Sequence, residues 1–297
     1  MPRGIPKAGF RKTRNSLMAN KTVAMTNMLG VMIEPEIPEI LETDEEIEAK
    51  LSERFEVLSL MTDAALAGDI NSLIISGPAG LGKSFSVEKA LEDWDPNGNN
   101  YRIVKGYLKA VALFKLLYQY RAKGQVLVFD DADKVFLDEI ALNLLKAALD
   151  STERRIISYM SEYVMIDEET AEQLPKSFRY EGTIIFLTNY NFSHMISRGG
   201  GIAPHLEALM SRSHYVDLAM KTRRDYFIRI RQVVRGGMLR DLGMTTDQEI
   251  DVMDFIEVNQ DKLNELSLRM AIKLAALRRM NSENWRKVAK ITCCKVL

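Results

Sequence analysis

SLIISGPAGLGKSFSVEKALEDW, residues 72–94, sets a short β-branched run, a glycine-rich turn and a stretch with helical spacing in immediate succession. SLIISG reads as a buried strand closing on a turn, and KSFSVEKALEDW reads as a helix. Between them, Gly77, Pro78, Ala79, Gly80, Leu81, Gly82, Lys83 and Ser84 fit the pattern G-x-x-x-x-G-K-[ST], in the strand-to-helix context that a phosphate-binding loop requires. Glycines let the backbone curl until several N–H groups face one anion at the positive end of the helix dipole. Lys83 is then placed to reach the β- and γ-phosphates of ATP, and Ser84 to offer its hydroxyl to Mg²⁺. With Phe85, the next residue, these form the expected cofactor-binding stretch.

Further apolar runs continue the pattern outward. NYRIVK (100–105), QVLVF (125–129), TIIFL (183–187) and Tyr215–Leu218 read as strands, and Ala110–Arg121 and Leu137–Leu149 as helices, with Ile140, Leu144 and Ala148 on one stripe of the second. Strands that are continuously apolar and alternate with helices indicate a parallel sheet covered on both faces. After Met220 the strands stop. Thr222–Val234, Gln248–Val258 and Ser267–Arg279 read as helices, the middle one introduced by a capping box at Thr246 and Glu249. The expected organisation is a basic arm and acidic linker over 1–43, an α/β nucleotide-binding domain over 44–220, and an all-α domain with a basic tail over 221–297.

QVLVF delivers Asp130 and Asp131 to the C-terminal end of a strand, where ligands bind open α/β sheets. Adjacent carboxylates there suit Mg²⁺ positioning by Asp130 and polarisation of an attacking water by Asp131. Asp133 reads as a spare carboxylate or a helix cap. In this order the elements resemble the AAA+ ATPases, over roughly residues 45–280, with a Walker A motif at 77–84 and a Walker B motif at 126–131. The resemblance implies a P-loop NTPase core with a helical lid, ATP and Mg²⁺ as cofactors, and ATP hydrolysis. It also implies Asn189 as sensor 1, Arg269 as the lid's sensor 2, and Arg212 as an arginine finger serving a neighbouring subunit, hence a ring or helical homo-oligomer. Asp131 stands where the family usually has Glu. A carboxylate one methylene shorter sits about 1.5 Å further from the water unless the backbone compensates, and implies slow or stimulated turnover.

The chain has 297 residues, 40 Lys+Arg against 41 Asp+Glu, and 46% hydrophobic residues, a globular composition that excludes disorder or low complexity as a description of the whole. No apolar run is long enough to span a membrane. MPRGIPKAGFRKTRNS lacks a secretory h-region, so a cytoplasmic location is expected. Cys293 and Cys294 are neighbours, and adjacent cysteines seldom form a structural disulfide.

Charge is unevenly placed. Residues 1–21 hold six basic side chains and no acidic one, residues 221–240 seven against Asp225, and residues 278–297 six against Glu283, a distribution suited to DNA contact and equally to solvated helix faces. The segment 151–182 exceeds a plain connection. Within it RRIISYM and EYVMI are expected to pair as a hairpin, with Arg154 and Arg155 at its base able to meet phosphates. Lys105-Gly106-Tyr107-Leu108-Lys109 offers an aromatic between lysines, suited to nucleic acid or to peptide. The runs LVFDDADKVFLDEIALNLLKAALDSTERRIISYMSE and PKSFRYEGTIIFLTN resemble AAA+ ATPases of tailed bacteriophages, which implies the host cytoplasm and a task in phage DNA metabolism. A protein partner remodelled through pore loops, or a slow nucleotide switch, are the other two readings of the same residues.

Overall fold

The computed structural model describes residues 42–160, 164–166, 171, 173–280 and 283–295, with the backbone of 25–26 and 32–33. Met25–Thr26 and Met32–Ile33 form a two-residue antiparallel ladder within the segment that precedes Thr43. The basic arm over 1–21 lies outside the described residues.

From Thr43 the chain forms one compact unit. Helix α1 (Asp44–Ala67) begins on a capping box between Thr43 and Glu46 and ends at Gly68 in the left-handed conformation. Five strands follow: β1 (Ser72–Ser76), β2 (Tyr101–Lys105), β3 (Val126–Asp130), β6 (Thr183–Thr188) and β7 (His214–Asp217). They form one all-parallel sheet in the order β2-β3-β6-β1-β7. The three inner strands are buried along their whole length, as their uninterrupted apolar runs predict.

Alternation within each strand divides the core. Leu73, Ile75, Val126, Val128, Ile185 and Leu187 meet α1 and α2 (Lys83–Trp94) through Leu58, Leu66, Val87 and Leu91. Ile74, Leu127, Phe129, Ile184 and Phe186 face the other way, onto α3 (Ala110–Gln119), α4 (Glu139–Ala148), the short α5 (Phe192–Ser197) and α6 (Ala203–Met210). Each fully buried Leu, Ile or Phe contributes about 1.5–3 kcal/mol. The result is a P-loop NTPase core, followed by a mostly helical C-terminal region.

That region holds α7 (Arg223–Arg235), the short α8 (Met238–Asp241), α9 (Thr246–Asn259), α10 (Leu268–Met280) and α11 (Trp285–Cys293), around a core of its own that includes Leu239, Phe255, Leu274 and Trp285. Ile47 and Leu51 of α1 pack on Ile228 of α7. Above that contact, Asp44 pairs with Arg224 at 2.6 Å and with Arg231 at 3.1 Å.

Several details differ from the sequence reading. The helix expected from Leu137 begins as a 3₁₀ segment over Asp133–Leu137, then restarts at Glu139 on the Asp138 cap, and Ile140 is exposed while Ala141, Leu142 and Leu145 join Leu144 and Ala148 inside. The restart rotates the apolar face away from the expected stripe. Before α9 the capping box is Thr245 with Gln248, one residue earlier than expected, because two adjacent threonines each begin an acceptable box. RRIISYM does enter a hairpin, but β4 (Ile156–Ser158) pairs with β5 (Ser177–Arg179). Of EYVMI, residues 162–163 lie outside the described residues, and Ile166 forms a single bridge to Gln173. Arg155 is buried, donating to the Ala148 carbonyl and lying over the Tyr180 ring, so no phosphate can reach it. Cys293 and Cys294 are free thiols.

Candidate functional site

The turn after β1 rests against the end of β6, where the Gly77 amide donates to the Thr188 carbonyl. Gly80 and Gly82 have φ of 78° and 96°, left-handed values that a side chain would strain. At Gly80 there is a second constraint: a Cβ there would lie 2.6 Å from Cβ of Ser267. Gly82 serves as the N-cap of α2 without any side-chain bond, so the first amides of that helix keep their donors for a bound anion. Leu81 is buried beneath the loop in the sheet's core.

Lys83 lies under this turn, only 6% exposed. Its ammonium donates to the carbonyls of Gly77 and Pro78, the latter at 2.8 Å, and to Oδ1 of Asn189 at 3.2 Å. Burial lowers its pKa to about 8, against the attraction of Asp131, Asp130 and Asp133. Ser84 Oγ donates to Oδ1 of the buried Asp130 at 2.9 Å. A hydroxyl and a carboxylate held side by side at the foot of a phosphate loop are the hard oxygen donors that Mg²⁺ takes alongside phosphate oxygens, so the residues present fit that ion. The other carboxylate oxygen of Asp130 lies 3.4 Å from Lys105, which is bound more closely by Glu88 at 2.6 Å. That bond to Glu88 raises the Lys105 pKa.

Strand order explains how the remaining groups meet. β6 lies between β1 and β3, so Asn189, just past its end, stands between the loop and the two aspartates. Its Nδ2 donates to Asp131 Oδ1 at 2.6 Å while its Oδ1 accepts from Lys83. Asp131 is exposed and has φ of 53°, a left-handed conformation that Asp tolerates better than most residues. Asp133 does not act as a helix cap. Its Oδ2 accepts from the Asn189 amide at 3.3 Å, and its Oδ1 is buried without a partner. Burial raises its pKa.

Arg269 stands in the first turn of α10, close enough for its charge to oppose that of Lys83. The helix is held there by the Leu268 amide, which donates to the Gly80 carbonyl at 2.9 Å. Two expected residues are not part of the cluster. Phe85 is 71% exposed and lines a groove of about 760 Å³ between α1 and α2, with Phe55 and Trp94. Arg212 sits beyond α6, where Nη1 donates to the Ala208 carbonyl at 2.8 Å and Nε lies 3.9 Å from Asp150. Sequence reasoning missed Glu88 and the partnership of Ser267 with Gly80, and only the D-D-A-D spacing hinted at Asp133.

Part of the tail's positive charge is paired within the folded unit. Arg231 and Arg235 lie within ion-pair distance of Glu48, Arg240 of Glu249, and Arg278 and Arg286 of Asp251. Arg229 is stacked on Phe55, and burial brings its pKa down to about 10. No described helix is long and apolar enough to cross a membrane.

No protein-family model matches the chain. It is 34% identical over 262 residues to an uncharacterised 36.7 kDa protein of Enterobacteria phage T4, encoded between nrdC and mobD, covering 88% of this chain and 78% of that protein. Among solved structures it is similar to the RuvB Holliday junction branch migration motor of Thermotoga maritima, at 17% identity and a TM-score of 0.44, covering 84% of this chain and 69% of that one. NtrX of Brucella abortus is similar at 15% identity and a TM-score of 0.42, over 82% and 51%.

Proposed function

The chain belongs to one family with the 36.7 kDa phage T4 protein, and on the geometry of its phosphate loop we propose that it is a Mg²⁺-dependent AAA+ ATPase, working as an oligomer in phage DNA metabolism. The observation that carries this reading is a pair of hydrogen-bonded series at the ends of three strands: Ser84 to Asp130, and Lys83 through Asn189 to Asp131. Residues 44–220 serve as the nucleotide-binding domain, 221–297 as the lid, and 1–43 as an arm.

In this reading the loop amides and Lys83 hold the triphosphate, with Lys83 exchanging its bonds to the loop carbonyls for phosphate oxygens. Ser84 and Asp130 would hold Mg²⁺, which supplies charge neutralisation on the β- and γ-phosphates. Asp131 accepts the proton of the attacking water, and Asn189 orients that water beside it. The left-handed backbone at Asp131 is the kind of re-aiming that a side chain shorter than Glu needs. Arg269 senses the phosphates through α10, whose start is bonded to the loop.

Arg212 acts in a second copy. It precedes His214, which is registered with Leu73 near the start of β1, whereas the loop follows the end of that strand. The separation is about 20 Å along the strand direction, beyond the reach of any side chain. A role in hydrolysis therefore requires a neighbour, the basis for proposing a ring or helix of subunits.

DNA as the substrate is supported by the six basic residues of the arm; the tail arginines give less support than their number suggests, because most of them lie within ion-pair distance of a carboxylate. A protein substrate is favoured by Tyr107, 66% exposed on the turn after β2 with Lys134 above its ring. Steady-state hydrolysis with single-stranded DNA, double-stranded DNA or an unfolded protein added, against a Lys83→Ala blank, decides. Stimulation by DNA supports the proposal, and stimulation by unfolded protein alone replaces it with remodelling. Absence of turnover above the blank leaves a nucleotide switch.

A further inference from the structure

Asp133 has no assigned part in the site, although its position is costly. One carboxylate oxygen is buried with no hydrogen-bond partner, in a group that burial already pushes toward the neutral form. It caps nothing: the 3₁₀ segment it opens has Ala132 as N-cap and no side-chain capping bond. Its other oxygen receives the Asn189 amide, and the nearby Thr188 side chain favours the charged form of the carboxylate without overcoming burial. Thr188 and Asn189 are where β6 stops and the chain turns away.

We propose that Asp133 is the positioning residue of the hydrolytic site, fixing the backbone at Asn189 so that its side-chain amide spans Lys83 and Asp131. The geometry suits such a brace. Asn189 makes two divergent contacts, 3.2 Å to Lys83 and 2.6 Å to Asp131, and Asp131 itself lies on a left-handed backbone rather than in the strand. With the amide nitrogen of residue 189 unanchored, the side chain can keep one contact and lose the other. A shift of about 1 Å in such a group lowers turnover about a hundredfold while leaving the phosphate-binding amides of the loop untouched. Asp133 touches no reacting atom in this scheme and acts through Asn189.

The inference rests on the ATPase reading, and the experiment separates the two. Turnover and ATP dissociation constants are measured on the full chain for wild type, Lys83→Ala, Asp133→Leu and Asp133→Asn. Leucine removes the acceptor, whereas asparagine keeps an oxygen for the Asn189 amide and loses only the charge. The expected result is turnover reduced about ten- to hundredfold in Asp133→Leu, an ATP dissociation constant within about twofold of wild type, and recovery to at least about a third of wild-type turnover in Asp133→Asn. Wild-type turnover in Asp133→Leu would overturn the proposal, as would an affinity loss that matches the turnover loss, or an Asp133→Asn protein no better than Asp133→Leu. If the leucine protein does not fold, Asp133→Ala is read by the same two constants. Wild type no faster than Lys83→Ala would sink the ATPase reading and this inference with it. A Lys83-dependent wild type beside an unaffected Asp133→Leu sinks this inference alone.

Discussion

Raising the pH from 7 to 9 should weaken ATP binding, because the loop lysine must regain a proton before a triphosphate can use its charge. Lys83 has a pKa of about 8 in the folded protein, against an ordinary 10.5, chiefly because it is buried. Phosphate oxygens around the ammonium favour its charged form and restore the higher value. Binding should then take up about a tenth of a proton at pH 7, about half at pH 8 and about nine tenths at pH 9. The corresponding loss of affinity between pH 7 and pH 9 is about tenfold. Calorimetric titration at pH 8 in HEPES and in Tris, whose ionisation enthalpies differ, reads the proton directly as a difference in apparent heat. Equal heats in the two buffers, with affinity flat from pH 7 to 9, would show that Lys83 takes up no proton when ATP binds. Stability of the nucleotide-free protein follows the same linkage. Between pH 8 and 10.5 the unfolded chain binds more protons at this site than the folded one, so the free energy of unfolding rises with pH across that window. Below pH 8 the burial penalty is present in full, about 3 kcal/mol at most.

Gly80→Ala places a side chain at φ of 78° and within 2.6 Å of Ser267 Cβ. The backbone strain alone is about 1–2 kcal/mol, so the melting temperature should fall by about 2–6 °C and ATP affinity should drop as α10 is displaced; an unchanged melting curve would contradict the close approach. Asp131→Asn should melt within about a degree of wild type while Asp131→Val loses about 2–6 °C, since only a β-branched side chain resists the left-handed backbone. Both should lose turnover, and a valine protein that still hydrolyses ATP would remove Asp131 from the reaction. Arg212→Ala should hydrolyse slowly with ATP binding intact, and mixing it with Asp131→Asn protein should partly restore activity. No recovery in the mixture would argue against a finger acting between subunits.

The phosphate loop, the parallel sheet and the meeting of Asp130, Asp131 and Asn189 at one edge were legible in the sequence, because each depends on local order: a motif between a strand and a helix, or a polar residue ending an apolar run. Asp133 was misread for the opposite reason. Its partner is the amide of residue 189, just past a strand that enters the sheet only after the hairpin insertion, and nothing local distinguishes it from a cap. The pairing of the tail's cationic stretches was likewise not legible, since Asp44 and Glu48, which neutralise part of them, lie far back in the chain. Hairpin pairing was missed because RRIISYM has two apolar candidates downstream, and only packing of Phe178 against Phe114 and Tyr118 selects one.

The contact between Gly80 and Ser267 reaches beyond a single molecule. While the loop curls as it does, position 267 has room only for a small residue, and position 80 cannot take a side chain unless the start of α10 withdraws. Two distant segments are thereby coupled, and should change together. A helical tail taken from one lineage should graft onto the sheet of another only when the loop comes with it, which makes the boundary between the two a poor place for recombination.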